Sequence, residues 1–231
     1  MRRLGAWSIA AWVLVAGAPS RGAEPTGGVR GSIELLRRSA LGGGISASDD
    51  RSGVVVYATG FTSPAPGGVV ELRQHRQRFE PRLVVIVRGQ TVTVPNDDRI
   101  YHTVFSVSPL ATFDLGQYKG KDPPRTVTFD QLGLVPVYCN IHPQMLSYVA
   151  VLENDAFAIT GKDGGFEIHG IPAGERTLNA WAPGAPRVSQ TVRIEAGQVA
   201  ELAFHVEQTE RIEPHKRKDG SDYPKSAYKD E

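Results

Sequence analysis

The stretch Leu134-Val-Pro-Val-Tyr-Cys-Asn-Ile-His-Pro-Gln-Met-Leu-Ser-Tyr-Val-Ala-Val-Leu152 holds two β-patterned runs around a polar turn. Residues 134–139 form a strand that ends on Cys139, and residues 147–152 carry the chain back as another. Between them Cys139, His142 and Met145 stand in the spacing Cys-x2-His-x2-Met. Cys139 is the only cysteine of the 231 residues, and Met145 is the only methionine besides Met1. The scarce sulfur side chains therefore fall in one short segment, with an imidazole between them.

That donor set points to a metal. A blue electron-transfer copper site takes one thiolate and two imidazoles in a trigonal plane, with a weak thioether above it. The fourth ligand would be a second histidine. His102, in Asn96-Asp-Asp-Arg-Ile-Tyr-His-Thr-Val-Phe105, is the candidate, because it sits at a turn between two β-patterned runs upstream of the cluster. Cys139 would bind as thiolate, His102 and His142 as neutral imidazoles, and Met145 as a weak axial ligand that suits both oxidation states. Against these stand a core cysteine, a plain loop histidine, a structural histidine and a packing methionine. Zinc in place of copper also stays open. The other histidines, His75, His169, His205 and His215, are dispersed and form no His-x-His pair, which argues against a multicopper oxidase or a copper nitrite reductase. No catalytic triad or acid pair is evident, so the expectation is a carrier and not an enzyme.

Outward from this segment the pattern is all-β. The chain has 25 glycines and 16 prolines, and short Val/Ile/Thr runs alternate with turn residues. Strands are expected at residues 29–36, 54–58, 69–74, 83–87, 91–94, 102–107, 125–129, 134–139 and 147–152, with loops over 39–53 and through Phe113-Asp-Leu-Gly116. Seven or eight short strands in series between residues 69 and 154 suggest a two-sheet sandwich with the ligand loop at one end. Strand alternation turns Tyr138 away from the Cys139 face. Asn96 either ties loops behind the site or simply forms a turn before Asp97-Asp98.

Residues 69–153 resemble a cupredoxin. The resemblance rests on Phe79-x-Pro81, Val87-Arg-Gly-Gln-Thr-Val-Thr93, Asn96 six residues before His102, His102-Thr-Val-Phe105 and Tyr138-Cys-x2-His-x2-Met145. The short Cys-to-Met loop is similar to that of the amicyanin type, and Cys-Asn-Ile-His-Pro-Gln-Met resembles plastocyanin-like and methylamine-utilisation-type exported proteins. Thr103 departs from the Asn that many cupredoxins carry after the first histidine. The resemblance implies a Greek-key sandwich, one type 1 copper held by His102, Cys139, His142 and Met145, and electron exchange through His142, the ligand on the loop. The implied partners are a periplasmic dehydrogenase, a c-type cytochrome or another redox protein.

From residue 154 the wording changes. Phe157-Ala-Ile-Thr160, the turn Gly161-Lys-Asp-Gly-Gly165, Ile171-Pro-Ala-Gly174 and Thr177-Leu-Asn-Ala-Trp181 resemble a carboxypeptidase regulatory-like, transthyretin-like sandwich. Its usual first strands are missing there, but residues 31–36 and 53–57 supply them. The expected organisation is a cupredoxin (69–153) inserted into a second small sandwich made of residues 28–62 and 154–207. Trp181 is read as a core or edge aromatic, or as a contact for a carbohydrate or partner. Residues 208–231 are densely charged and poor in aliphatics, so a disordered tail with a solvated His215 is expected.

The N-terminus bears on location. Met1-Arg-Arg, an apolar run over residues 4–18 and small residues after it have the layout of a secretory signal peptide, too short for a comfortable membrane span. Cleavage is expected between Ala18 and Ala23, giving a periplasmic or secreted protein without stable membrane insertion. A single cysteine in an oxidising compartment cannot make an internal disulfide, and metal ligation would protect it. The formal net charge of +1 gives no reason to expect nucleic acid or an anionic membrane as partner. Two further readings remain: copper storage or delivery without redox turnover, and a scaffold with a vestigial copper loop.

Overall fold

The computed structural model describes residues 24–38, 44–209 and 215–224. The expected signal peptide over residues 1–23 lies outside them. Among the described residues every regular element is a strand, and no helix is long and apolar enough to cross a membrane. The all-β class follows from the period-2 patterning.

The chain begins with β1 (Thr26–Arg38), β2 (Ile45–Ala47), which pairs with the end of β1, and β3 (Val55–Thr59). Next come β4 (Val70–Glu71), β5 (Arg73–His75), β6 (Arg78–Glu80), β7 (Leu83–Val87), β8 (Thr91–Val94), β9 (His102–Ser108), β10 (Ala111–Tyr118), β11 (Arg125–Thr128), β12 (Gly133–Cys139) and β13 (Leu146–Leu152). A five-stranded sheet in the order β10-β9-β12-β13-β7 faces a three-stranded sheet β11-β8-β4, while β5 and β6 form a hairpin. Between them lies a core that includes Leu72, Val92, Val94, Val104, Phe129, Val135, Val137 and Val149. Burial along β12 alternates, so Val135, Val137 and Cys139 form one inward row. The thiol is thus the last member of a core row, and each buried valine in that row contributes about 1.5–3 kcal/mol.

The chain then runs through β14 (Phe157–Ile159), β15 (Gly165–Pro172), β16 (Gly174–Trp181), β17 (Val188–Ile194) and β18 (Val199–Gln208). These strands pair with the start of the chain: β1 lies between β15 and β18, and β3 between β14 and β16. The two sheets enclose Val29, Ile33, Leu35, Val56, Ile168, Leu178, Phe204 and Val206. At Gly31 an added Cβ would stand 1.7 Å from the Leu202 carbonyl oxygen of β18, so glycine is required for that close parallel approach.

Two contacts tie the sandwiches together. Val55, Leu83 and Ala150 are buried in a common seam with Tyr57, Leu134, Tyr148 and Trp181 around them, and the Tyr148 and Trp181 rings meet edge-on at 5.8 Å. Trp181 is therefore a seam aromatic, beside a cleft of about 610 Å³ that Tyr57 and Leu134 also line. Where the chain leaves β3 and later returns, Ser63 N–H donates to Glu153 O at 3.3 Å. There the buried Asn154 donates to the carbonyls of Ala58 and Phe61 and accepts from Ala156 N–H.

Some expectations need correction. Residues 45–47, inside the loop expected over 39–53, form the short strand β2 against the end of β1. The segment Phe113–Gly116, read as loop, lies in β10. That strand is a sheet edge with alternating exposure, and a register shift falls between Asp114 and Gln117, so its pattern is broken by Gly116 at φ +71. The charged tail is not solvated throughout: residues 215–224 pack on the ligand end of the molecule, with Tyr223 buried and the His215 ring 4.4 Å from that of Tyr138. Averaged composition hides two aromatic side chains that find apolar partners.

Candidate metal centre

Three of the four expected ligands converge. His102 opens β9, Cys139 ends β12, and adjacent strand pairing sets Cys139 opposite Val104. The turn after Cys139 brings His142 back: Asn140 N–H donates to Thr103 O at 2.8 Å, Met145 N–H to His142 O at 3.1 Å and Cys139 N–H to Met145 O at 3.3 Å. The two histidine Nδ1 atoms then stand 2.9 Å apart, and the Cys139 Sγ lies 3.8 Å from that of His102 and 3.6 Å from that of His142. Among the described residues these three form the group able to hold a metal ion, their donor atoms within 4.8 Å of one another. Met145 follows in the same loop, fully buried in the same core cluster as Cys139.

The environment favours metal over protons. His102 Nε2 lies 2.9 Å from Asp98 Oδ2; with Nε2–H donating there, the Nδ1 lone pair faces the other two donors. Burial alone would raise the Asp98 carboxyl, but the Gln77 amide, His102 and the Arg76 amide hold it below the usual carboxylate range. Burial lowers His102 despite Asp98, and burial followed by the neighbouring His102 lowers His142 to about 4. Both rings are thus neutral at ordinary pH, the form in which imidazole ligates. Burial pushes the Cys139 thiol up, while the amides of Thr103, Ile141 and His142 oppose it. A cation would displace the thiol proton, and those amides would help hold the thiolate.

This chain is similar in structure to cupredoxins. It matches a purple cupredoxin from Nitrosopumilus maritimus at 22% identity, covering 36% of this chain and 99% of that one, with a TM-score of 0.33. It matches amicyanin from Paracoccus versutus at 21% identity, covering 38% of this chain and 84% of that one, also at 0.33. A copper-containing nitrite reductase from Thermus scotoductus matches at 19% identity over 52% of this chain and 28% of its own, at 0.35. No family model matches the sequence, and no curated protein does.

Sequence reasoning missed the groups that orient the ligands. Asp98 was not singled out from the sequence, yet it accepts from His102 and from the amides of Arg76 and Gln77 at 2.7 and 2.9 Å. Those two amides reach it because Arg76 and Gln77 adopt φ of 51° and 55° in the β5–β6 turn, a left-handed conformation that two-residue hairpins demand. Asn96 does both things weighed for it: its Oδ1 accepts Asp98 N–H, and its Nδ2 donates to the carbonyls of Ile100 and Tyr118. The one available signal was the i, i+4 spacing of Asp98 and His102.

Proposed function

We propose that this protein is an exported, single-copper electron carrier of the blue type. The observation that supports it best is the convergence of two imidazole Nδ1 atoms and one thiol sulfur, all buried or half-buried, at the end of a β-sandwich. The donor set fits the group: two nitrogens and a soft sulfur suit copper, with the Met145 thioether as the expected weak fourth ligand. His102, Cys139, His142 and Met145 would hold the ion. Copper bound there supplies a one-electron couple. The chain's own part is to hold the donors in place through strand pairing and Asp98, to exclude water from His102, Cys139 and Met145, and to leave His142 as the half-buried member nearest solvent. A redox protein, such as a periplasmic dehydrogenase or a c-type cytochrome, would meet that face.

We also propose that residues 69–153 are an insertion in a second sandwich built from residues 28–62 and 154–207, a reading supported by the partners of β1 and β3. Export by the N-terminal segment fits a lone cysteine committed to metal.

The deciding experiment is the visible spectrum after adding copper(II), beside Cys139→Ser. An intense thiolate-to-copper band, lost in the variant and bleached reversibly by one electron, supports the carrier. Tight copper without reversible redox, quickly surrendered to a chelator, turns the reading to storage or delivery. No stoichiometric copper leaves a scaffold.

A further inference from the structure

Residues 215–224 lie against the ligand loop in a way the metal reading does not require. The segment makes a turn of its own, with Gly220 N–H donating to Arg217 O at 2.9 Å, Arg217 N–H to Ser221 O at 3.0 Å, and Gly220 at φ +82. From that turn Lys218 N–H donates to Asn140 Oδ1 at 2.8 Å, and its ammonium pairs with Asp114 of β10. The hydroxyl of Tyr223, itself 6% exposed, donates to the Cys139 carbonyl. Its single proton being committed there, the hydroxyl oxygen accepts from His215 Nδ1, 3.2 Å away, whose N–H it shares with the Lys216 carbonyl at 3.1 Å. The His215 ring stacks on Tyr138 at 4.4 Å and meets Tyr223 edge-on at 5.3 Å, with Phe105 at 6.4 Å. The carbonyls of Met145 and Pro143 lie beside the same ring.

Every anchor except Asp114 belongs to a segment that carries a donor. Phe105 follows His102 on β9, Tyr138 and Asn140 flank Cys139, and Pro143 follows His142. We propose that residues 215–224 are a strap that clamps the Cys139–Met145 loop from outside, with Tyr223 and His215 as its positioning residues. The inference deepens the metal reading and rests on it for the identity of the ligands. A hydroxyl bonded to the Cys139 carbonyl and an imidazole wedged against Tyr138 restrain the two ends of the peptide that bears the thiol. The strap covers the outer side of that peptide, opposite the sulfur, so it limits the loop openings through which water and small reagents reach the thiol and holds the loop in its binding shape before metal arrives.

The test uses the full chain, as Tyr223→Phe and as the double variant His215→Ala with Tyr223→Ala, each checked for native far-ultraviolet dichroism. In metal-free protein, alkylation of Cys139 by iodoacetamide should be about fivefold faster in Tyr223→Phe, the worth of one hydrogen bond, and about tenfold or more in the double variant. Trypsin should cut after Lys216, Arg217 or Lys218 faster in the double variant than in the parent. In copper-loaded protein the same variants should shift the visible band and lose copper to a chelator faster, in the same order. Parent and double variant cut equally fast, or a freed tail with unchanged alkylation and copper loss, would each overturn the strap. Should the parent take up no copper, the metal reading fails, while the alkylation arm still decides whether the strap holds the loop.

Discussion

Asp98 contributes no atom to the convergent donor set, yet it decides which nitrogen of His102 is available. Its carboxylate, held ionised by two backbone amides and the ring itself, keeps the proton of His102 on Nε2 and so leaves Nδ1 free. Asp98→Ala should lower copper affinity about 10- to 100-fold, the usual cost of losing the partner of a ligating histidine. Competition with a chelator of known affinity measures it, and Asp98→Asn, which keeps an acceptor, should lose less. An affinity unchanged in Asp98→Ala would mean that packing alone orients the ring. The contrast with the ligands shows what a sequence reveals at this scale. Cys139, His142 and Met145 stood out because two of them are nearly unique in the chain and close together. Asp98 did not, because Asp97-Asp98 reads as turn chemistry, and the amides that position it come from a hairpin some twenty residues earlier.

Among the elements, the strands with a buried row were the legible ones. β7, β8 and β12 carry alternating or continuous apolar residues, and the expected and observed bounds differ by a residue at most. β10 failed because an edge strand buries little and its alternation is crossed by an irregular register. The tail failed for a related reason. Its charge density describes most of its residues, but the Asp219-Gly220 turn signal and two aromatics were enough to seat a short piece. β1 is held on both sides, by β15 and β18. Gly31→Ala places a Cβ against the backbone oxygen of Leu202, which cannot rotate away as a side chain could. The two strands must part, and a loss of about 3 kcal/mol or more is expected in urea unfolding. A loss below about 1 kcal/mol would show that β1 and β18 can separate locally at little cost.

Over the whole molecule, the two sandwiches meet at a seam and at one crossing point. Asn154 sits at the crossing with no exposed surface and three hydrogen bonds to the outgoing chain and its own turn. Asn154→Ala strands the buried Ala58 carbonyl and Ala156 N–H and the part-buried Phe61 carbonyl, and a loss of about 2–3 kcal/mol is expected in guanidinium unfolding. If the visible copper band survives to the same denaturant concentration as in the parent while the seam loosens, the metal-bearing sandwich stands by itself. If both fail together, the crossing couples them. Strands distant in sequence pair, Val29 with Ala200 and Tyr57 with Asn179, and periodicity along the chain does not reveal such partners.

The backbone bond from Ser63 to Glu153 has a consequence for engineering and for descent. The chain departs and comes home at one point, so under the proposed insertion the residues between can be exchanged, provided that the Val55, Tyr57 and Trp181 face they cover in the seam is covered again. A gene in which a short turn joins residue 62 to residue 154 should yield a colourless, folded host. The same socket should accept another domain whose termini lie equally close, which would make residues 63–153 a cartridge rather than a wing of the protein.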